Sequence, residues 1–401
     1  MFKGKKSLCL GLGIAVLLGF SANAIAHNHL TRVERLGKAI FHDQQLSEPA
    51  GEACASCHGK QTGFTGPSSA INRDTAIYPG AMEGRFGNRK PPAAAYAGDV
   101  PELQYDDATS SWMGGLFWDG RATGYRLGDP LAEQAIGPFL NPLEQNNPDA
   151  QTVCEKVKNA FYSYLFDLAW GDGALDCENN TDDTYDLIGR SIAAYERSAE
   201  VNPYSSKYDY YLSGQTTLSD EELLGLELFD GAAGCASCHS TVAPAGGEHP
   251  LFTDFGYDNL GVPRNENNPF YTVGAEWNPD GEDWIDPGLG ATLQNLGYAP
   301  EVYEPEWGKH RVPTLRNVAL KPSARFHKVY GHNGYFGSLR EIVHFYNTRD
   351  VPGEGWMGVP WPPAEVPSNM NDTLGDLGLT ASEEQSIVAF LETLSDGYCP
   401  W

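Results

Sequence analysis

The stretch RLGKAIFHDQQLSEPAGEACASCH at residues 35–58 is echoed later in the chain by LLGLELFDGAAGCASCH at residues 223–239. Each copy combines a helical pattern that ends in Phe, a turn that contains glycine, and the same pentapeptide CASCH. An internal repeat of this kind indicates two structural units of one design. The sequence therefore predicts two related helical units, each of which begins with one copy.

Each pentapeptide supplies two thiols and one imidazole: Cys54, Cys57 and His58 in the first copy, Cys235, Cys238 and His239 in the second. Thiols at this spacing form thioethers with the vinyl groups of haem, and the adjacent imidazole binds the iron. A zinc site and a redox CxxC are the alternatives. Because both copies carry the histidine, we predict two covalently bound c-type haems with His58 and His239 as iron ligands.

Residues 1–26 carry three lysines, then a short apolar run, then small residues that end at Ala26. This order is typical of a secretory signal peptide cleaved after Ala26. The apolar run is shorter than the ~20 residues that a membrane-spanning helix needs. We therefore expect a mature periplasmic protein without a membrane span.

The formal net charge is −26, and cleavage removes three lysines and no acid, which brings it to −29. Such a charge excludes nucleic acid and anionic lipid as partners and favours a partner with a basic surface. Residues 27–401 are enough for two domains of ordinary size.

Three cysteines remain outside the signal peptide and the CASCH pentapeptides: Cys154, Cys177 and Cys399. Any two of them could form a disulfide, so three pairings are possible. In an oxidising compartment we predict a disulfide between Cys154 and Cys177, which closes a short loop, and we leave Cys399 outside that bond.

Two long regions, residues 60–130 and 241–312, are rich in Gly and Pro and have no helical pattern. They are predicted to be loops whose core a cofactor completes. Pro203 and the Ser/Tyr-rich segment after it indicate a boundary. We predict an N-terminal domain of residues 27–202 and a C-terminal domain of residues 203–401.

Helical patterns cover residues 151–170, 183–200 and 338–347. In the last of these, one face carries four residues spaced as i, i+3, i+4 and i+7: Leu339, Ile342, Val343 and Tyr346. Thr380 and Glu383 form a capping box before another helix. No alternating strand pattern of useful length occurs, so the fold class is predicted to be mainly α.

The sixth position of each iron decides between electron transfer and catalysis. No histidine lies between His58 and His239, so the loops over the first haem contain no imidazole that could close it. Met82 and Met113 are the other candidate ligands. We predict that the first haem is open to hydrogen peroxide.

Several motifs together resemble the bacterial di-haem cytochrome c peroxidase superfamily, in its order and over nearly the whole mature chain: LGKAIFHDQQLS, both CASCH sites, FWDGRA (117–122), EQAIGPFLNPLE (133–144), VPTLRNVAL (312–320) and HNGYFGSLREIVHFYN (332–347). The resemblance implies a periplasmic oxidoreductase of two mainly helical cytochrome c-like domains that acts on peroxide.

Tyr346 indicates a branch of that superfamily. Classical peroxidases have Met at the matching position and a His over the first haem, whereas the MauG and MbnH branch has Tyr. This sequence resembles the second branch, whose members oxidise residues of a partner protein. A phenolate also favours the high oxidation states of iron. The alternatives are a packed aromatic at Tyr346, and His344 or Met357 as the ligand, although His344 falls off the apolar face.

The resemblance also implies roles for four residues: Trp118 between the haems, and Gln134, Pro138 and Glu144 over the first haem. Trp118 would relay electrons, with a plain core residue as the alternative. Glu144 would shuttle the proton for O–O cleavage, Gln134 would hydrogen-bond and Pro138 would shape the pocket. A surface acid is the alternative for Glu144.

Two departures from the family pattern leave details open. Lys321 and Pro322, followed by an insertion through Tyr330, replace the Thr-x-Pro that the family associates with calcium. A bound calcium ion therefore stays an open alternative. Ala233 stands where MauG has a surface tryptophan that conducts charge to its substrate, so that exit route is not carried over.

The resulting hypothesis is a MauG/MbnH-like enzyme in which peroxide oxidises the His58 haem, Trp118 shares the oxidising equivalents with the Tyr346-ligated haem, and an exported partner protein is modified at Trp or Tyr. One alternative is a classical peroxidase that takes electrons from a small cytochrome. Another is a non-catalytic di-haem electron carrier with both irons six-coordinate.

Overall fold

The computed structural model describes residues 29–400. The helices of this part of the chain are α1 Arg32–Phe41, α2 Cys54–Cys57, α3 Ser69–Asp74, α4 Pro130–Leu140, α5 Ala150–Asn159, α6 Tyr164–Trp170, α7 Thr181–Arg197, α8 Lys207–Leu212, α9 Asp220–Asp230, α10 Gly288–Asn295, α11 Pro300–Tyr303, α12 Leu339–Thr348 and α13 Ala381–Glu392. Short 3₁₀ segments lie at Lys60–Thr62, Cys235–Ser237, Pro269–Thr272, Gly281–Asp283 and Glu304–Glu306.

Strands are few and short: β1 Gln104–Asp106, β2 Ser111–Met113, β3 Tyr257–Asp258, β4 His310–Arg311, β5 Gly355–Trp356 and β6 Val359–Pro360. They pair as β1 with β2, β3 with β4 and β5 with β6, all antiparallel. The mainly α class predicted from the sequence is confirmed. The signal-peptide prediction falls on residues outside the described ones. Within residues 29–400, no helix is long and apolar enough to span a membrane.

The predicted helices are present with one difference. The pattern at residues 151–170 is divided into α5 and α6, because the chain turns between Asn159 and Tyr164. The stretch at 183–200 forms α7. The Thr380 hydroxyl and the Glu383 carboxylate form the predicted capping box at the start of α13.

The repeated glycine of the two copies allows two helices to cross closely in each half. Helix α1 packs on α7, and α9 packs on α13. A Cβ added to Gly37 would lie 1.8 Å from the carbonyl oxygen of Ser191, and one added to Gly225 would lie 1.9 Å from that of Ser386. The same crossing thus occurs twice, as the sequence repeat predicts.

Two hydrophobic cores form around these crossings. The first gathers buried residues of α1 and α4 to α7, with Leu36 and Ile192 fully enclosed. The second gathers residues of α8, α9, α12 and α13, including Phe229 and Phe390. The predicted disulfide between Cys154 and Cys177 is confirmed, and it ties α5 to the segment before α7.

The amine of Lys328 joins the two halves of the chain. Its Nζ donates to the carbonyl oxygens of Thr62 at 2.9 Å, Asn317 at 2.8 Å and Leu320 at 2.9 Å. Burial, together with the charge of Lys90, lowers the pKa of Lys328, while three acceptors match the three N–H bonds of the charged form. Lys328 lies in the segment that departs from the family's calcium-associated motif. Its amine is hydrogen-bonded to backbone carbonyl oxygens, which are also the kind of ligand that calcium uses.

Replacing Gly37 or Gly225 with Ala should destabilise the protein by at least about 2 kcal/mol, because the added methyl overpacks a helix crossing. Gly274→Ala is the matched control, since a Cβ there meets nothing closer than 4.0 Å. Chemical denaturation of the three variants measures the free energy of unfolding. Equal stabilities would contradict the close crossings.

Lys328→Met should lower the free energy of unfolding by about 3 kcal/mol or more, because three carbonyl groups lose a donor. Lys321→Met, at an exposed position of the same segment, should have little effect. We also expect the melting temperature to be unchanged by EGTA. A fall in EGTA that added calcium reverses would show that a metal ion, rather than the amine, joins the two halves.

Candidate functional site

Two cavities lie beside the two cores. Each is lined by one CASCH set: Cys54, Cys57 and His58 in the first cavity, and Cys235, Cys238 and His239 in the second. The cysteines and histidines predicted from the motif therefore converge on two separate spaces.

Each histidine is oriented by a hydrogen bond to the backbone carbonyl of a phenylalanine. His58 Nδ1 lies 3.0 Å from the carbonyl oxygen of Phe64, and His239 Nδ1 lies 2.9 Å from that of Phe252. Both phenylalanines adopt the left-handed conformation, with φ of 57° and 53°, which is strained for a bulky residue. Because Nδ1–H donates to a carbonyl, Nε2 is left with its lone pair for a metal. Both sites thus fit the iron of a haem.

The wall of the first cavity contains the three residues that the sequence analysis assigned to it: Gln134, Pro138 and Glu144. Gln134 and Pro138 lie one turn apart on α4, and Glu144 follows the end of that helix. Asn141 Nδ2 donates to Glu144 Oε2 at 2.7 Å. Burial raises the pKa of Glu144, so the carboxyl keeps its proton to a higher pH than usual.

No second imidazole faces His58 across the first cavity. Among the described residues that line it, His58 is the single histidine and there is no methionine, so neither Met82 nor Met113 is part of the wall. The lining of this cavity includes the carboxyl, amide and proline side chains of Glu144, Gln134 and Pro138. This arrangement suits a small ligand such as peroxide.

Trp118 contributes to the wall of both cavities. It is buried, and its Nε1–H donates to the carbonyl oxygen of Lys90 at 2.7 Å. The amide of Arg311 donates to the carbonyl oxygen of Trp118 at 2.8 Å, which fixes the backbone on the other side. The indole is therefore held at the boundary between the two cavities.

The apolar face predicted for α12 lines the second cavity, and Tyr346 lies on it together with Leu339, Ile342 and Val343. Burial, and then the nearby thiols of Cys235 and Cys238, raise the pKa of the Tyr346 phenol. His344 turns away, with Nδ1 2.7 Å from Glu384 Oε1. Met357 is 87% exposed. Of the three candidate ligands, Tyr346 is the one in the cavity wall.

Two charged residues of the first cavity were not predicted from the sequence. Glu196, on α7, lines the cavity, and burial raises its pKa to about 8. Lys90 lines both cavities, and burial lowers its pKa to about 8. Each is a single charged residue outside any motif, so the sequence offered no signal for it.

A buried cluster beside Trp118 was also missed: Asp286, His310, His332 and Arg89. Arg89 binds both carboxylate oxygens of Asp286, at 2.6 and 2.7 Å. Although burial opposes it, this charge lowers the pKa of Asp286. The rings of His310 and His332 are stacked, with centroids 3.6 Å apart and planes 7° apart. An imidazole binds a metal ion in the plane of its ring. Because these two planes are parallel and separated, one ion cannot be bound by both histidines. The His332 ring lies 6.5 Å from that of Trp118, and we interpret the cluster as its polar support.

Comparison with known proteins identifies the family. The family profile described as di-haem cytochrome c peroxidase matches residues 31–217. The methylamine utilization protein MauG of Paracoccus denitrificans (strain Pd 1222) is 33% identical over 370 residues, which cover 90% of this chain and 88% of MauG. The cytochrome-c peroxidase IdrP1 of Pseudomonas sp. (strain SCT) is 27% identical over 90% of this chain and 80% of its own.

Solved structures agree with the sequence matches. The diheme peroxidase BthA of Burkholderia thailandensis has a TM-score of 0.75 and 32% identity, covering 91% of this chain and 86% of BthA. A MauG-like protein associated with microbial copper homeostasis has a TM-score of 0.62 at 22% identity, which is a likeness of fold. With two cavities built on CASCH sets and relatives aligned over most of its length, the chain belongs to the di-haem cytochrome c peroxidase family of peroxide-dependent enzymes.

Proposed function

We propose that this enzyme is a periplasmic, MauG/MbnH-like oxidoreductase that uses hydrogen peroxide to modify an exported partner protein at Trp or Tyr. The observation that carries the proposal is that one buried indole, Trp118, is part of both cavity walls. A two-electron oxidation that starts in one cavity can then be shared with the other. The signal peptide that the sequence predicts at residues 1–26 supports the location.

Two c-type haems, one in each cavity, would supply the reaction with peroxide and the storage of oxidising equivalents. Cys54 and Cys57 would attach the first haem, and Cys235 and Cys238 would attach the second. The Nε2 atoms of His58 and His239 would hold the irons, and Tyr346 would be a further ligand in the second cavity. The first cavity has no second histidine and no methionine among its described lining residues, which would leave room there for peroxide.

Glu144 moves the proton that peroxide cleavage requires. Its carboxyl lines the open cavity, and its raised pKa keeps a fraction of it protonated closer to neutral pH. Asn141 orients it through the bond to Oε2. Gln134 offers an amide for hydrogen bonding, and Pro138 shapes the pocket, so that both restrict where peroxide can lie.

Trp118 passes electrons between the cavities. Its Nε1–H stays bonded to a neutral carbonyl, so no base is placed to remove the indole proton. Loss of an electron therefore leaves the proton in place and is readily reversed.

The two hydrophobic cores support the proposed division into domains of residues 27–202 and 203–401.

The test against a classical peroxidase takes an exported protein whose gene lies beside that of this enzyme as the candidate partner. Mixed with this enzyme and peroxide, that protein should gain a mass change in a Trp- or Tyr-containing peptide. If its mass stays unchanged while reduced cytochrome c is rapidly oxidised, the enzyme is a classical peroxidase. A resting spectrum with both irons six-coordinate would instead indicate an electron carrier.

A pyridine haemochrome assay on the purified protein should give two haems per chain, and neither should be extracted by acid and organic solvent, because thioethers hold them. A Cys235→Ala/Cys238→Ala variant should retain the first haem covalently. One haem in the parent would overturn the assignment of the two cavities.

Replacing Tyr346 with Phe should alter the ferric low-spin spectrum and make the second haem easier to reduce, because the anionic ligand is lost. Tyr335→Phe, at a half-buried position packed near the same helix, serves as the control. If spectrum and potential of the Tyr346 variant match the parent, Tyr346 is only a packed aromatic.

Trp118→Phe should leave both haems attached and the first still reactive with peroxide, but the shared oxidised state should be lost. Trp170→Phe is the control, since that partly buried indole packs on the first core through Ser191. Rapid-mixing spectra follow both haems. If both become oxidised as fast as in the parent, charge passes by another route.

A further inference from the structure

A row of aromatic side chains crosses the small strands beside the second cavity. Tyr105 on β1 is opposite Trp112 on β2, with ring centroids 5.7 Å apart. An antiparallel bridge between Met113 and Gly256 then places Trp112 opposite Tyr257 on β3. Residues opposite one another share a face of the sheet. Tyr105, Trp112 and Tyr257 therefore form one aromatic row.

The inner end of the aromatic row lies next to Trp118. Asp258 lines the second cavity, and the preceding residue, Tyr257, points to the opposite face of the strand, away from that cavity. The Tyr257 hydroxyl donates to the carbonyl oxygen of Gly114, and a Cβ on Gly120 would lie 2.3 Å from that hydroxyl. The phenol thus packs against the chain segment that carries Trp118.

The outer end of the row reaches the surface. Trp112 is only 5% exposed, and its ring lies 5.2 Å from that of Tyr298. Tyr298 is 39% exposed, Tyr105 is 48% exposed and Tyr125, at 50%, borders them. The row therefore joins the chain segment that carries Trp118 to a surface patch of three tyrosines.

We propose that Trp112 relays electrons from a docked partner protein to the second haem site, with the patch of Tyr105, Tyr125 and Tyr298 as the docking surface. The inference rests on the proposed function, and it gives this chain an exit route where Ala233 replaces the surface tryptophan of MauG. Indole and phenol are the side chains that lose single electrons most readily, and here they are adjacent.

The residues of the row differ in what they can do. Trp112 can lose and regain an electron while it keeps its N–H proton. Tyr257 must release a proton to be oxidised, but its hydroxyl faces a carbonyl oxygen that is not a base, and burial raises its pKa. Trp112 is therefore the relay, and Tyr257 couples it to the chain segment that carries Trp118 without holding a radical. Tyr105 and Tyr298 can release their protons to water.

The electrons and protons balance. Two electrons move inward one at a time from a Tyr or Trp of the partner, which also releases two protons. One hydrogen peroxide takes up two electrons and two protons and becomes two waters. Acidic residues lie close in sequence to the tyrosines of the patch: Glu102, Asp106, Asp107 and Glu301. The partner that fits is an exported protein with basic residues around an oxidisable Tyr or Trp.

The test traps radicals on the enzyme itself. The holoenzyme is mixed with peroxide and the spin trap 2-methyl-2-nitrosopropane, and adducts are located by peptide mass mapping while the haem spectrum is followed in the same sample. We expect adducts at Tyr105 or Tyr298. In Trp112→Phe they should be lost while the haem spectrum still responds to peroxide as in the parent. Trp170→Phe should keep them.

Adducts that persist in Trp112→Phe, or that form only elsewhere, would overturn the route while leaving the proposed function intact. If peroxide causes no change in the haem spectrum of the parent, the proposed function fails as well. Melting temperatures of the variants confirm that each is folded.

Two synthetic peptides test the partner's charge, each with one tyrosine among lysines or among glutamates. The lysine peptide should be oxidised faster, by a margin that falls with added salt. Equal rates would contradict docking at the acidic patch.

Discussion

The position of one indole ring at the boundary of two cavities is the constraint on which the rest of the structure depends. Trp118 is fixed from one side by the carbonyl of Lys90 and from the other by the amide of Arg311. Because these bonds come from distant parts of the chain, the two halves must meet in one arrangement. The buried Arg89 cluster and the Lys328 amine hold the same junction.

The two halves of the chain repeat the same structural features on either side of this junction. Gly37 and Gly225 set equivalent helix crossings, and Phe64 and Phe252 hold equivalent carbonyls against the histidines. What differs between the halves is the lining of the cavities. Glu144 lines the first and Tyr346 lines the second, so the two cavities offer different side chains to a bound group.

Local signals in the sequence predicted local structure well. The face of α12, the capping box at Thr380 and the disulfide each depend on residues close in sequence or on a few alternatives. Asp286, His310 and His332 meet only after folding, and no spacing links them. The aromatic row likewise depends on which short strands pair, and strands of two or three residues leave no pattern. Most residues around the cavities lie in glycine-rich loops, which have no periodic pattern from which their positions could be predicted.

In the proposed function, two haem sites act as one oxidant through Trp118. Rapid-freeze Mössbauer spectroscopy of protein enriched in ⁵⁷Fe, mixed with one equivalent of peroxide, measures both irons at once. We expect the signals of both irons to leave their ferric positions together. A change at one iron, with the other unaltered throughout the reaction, would contradict it.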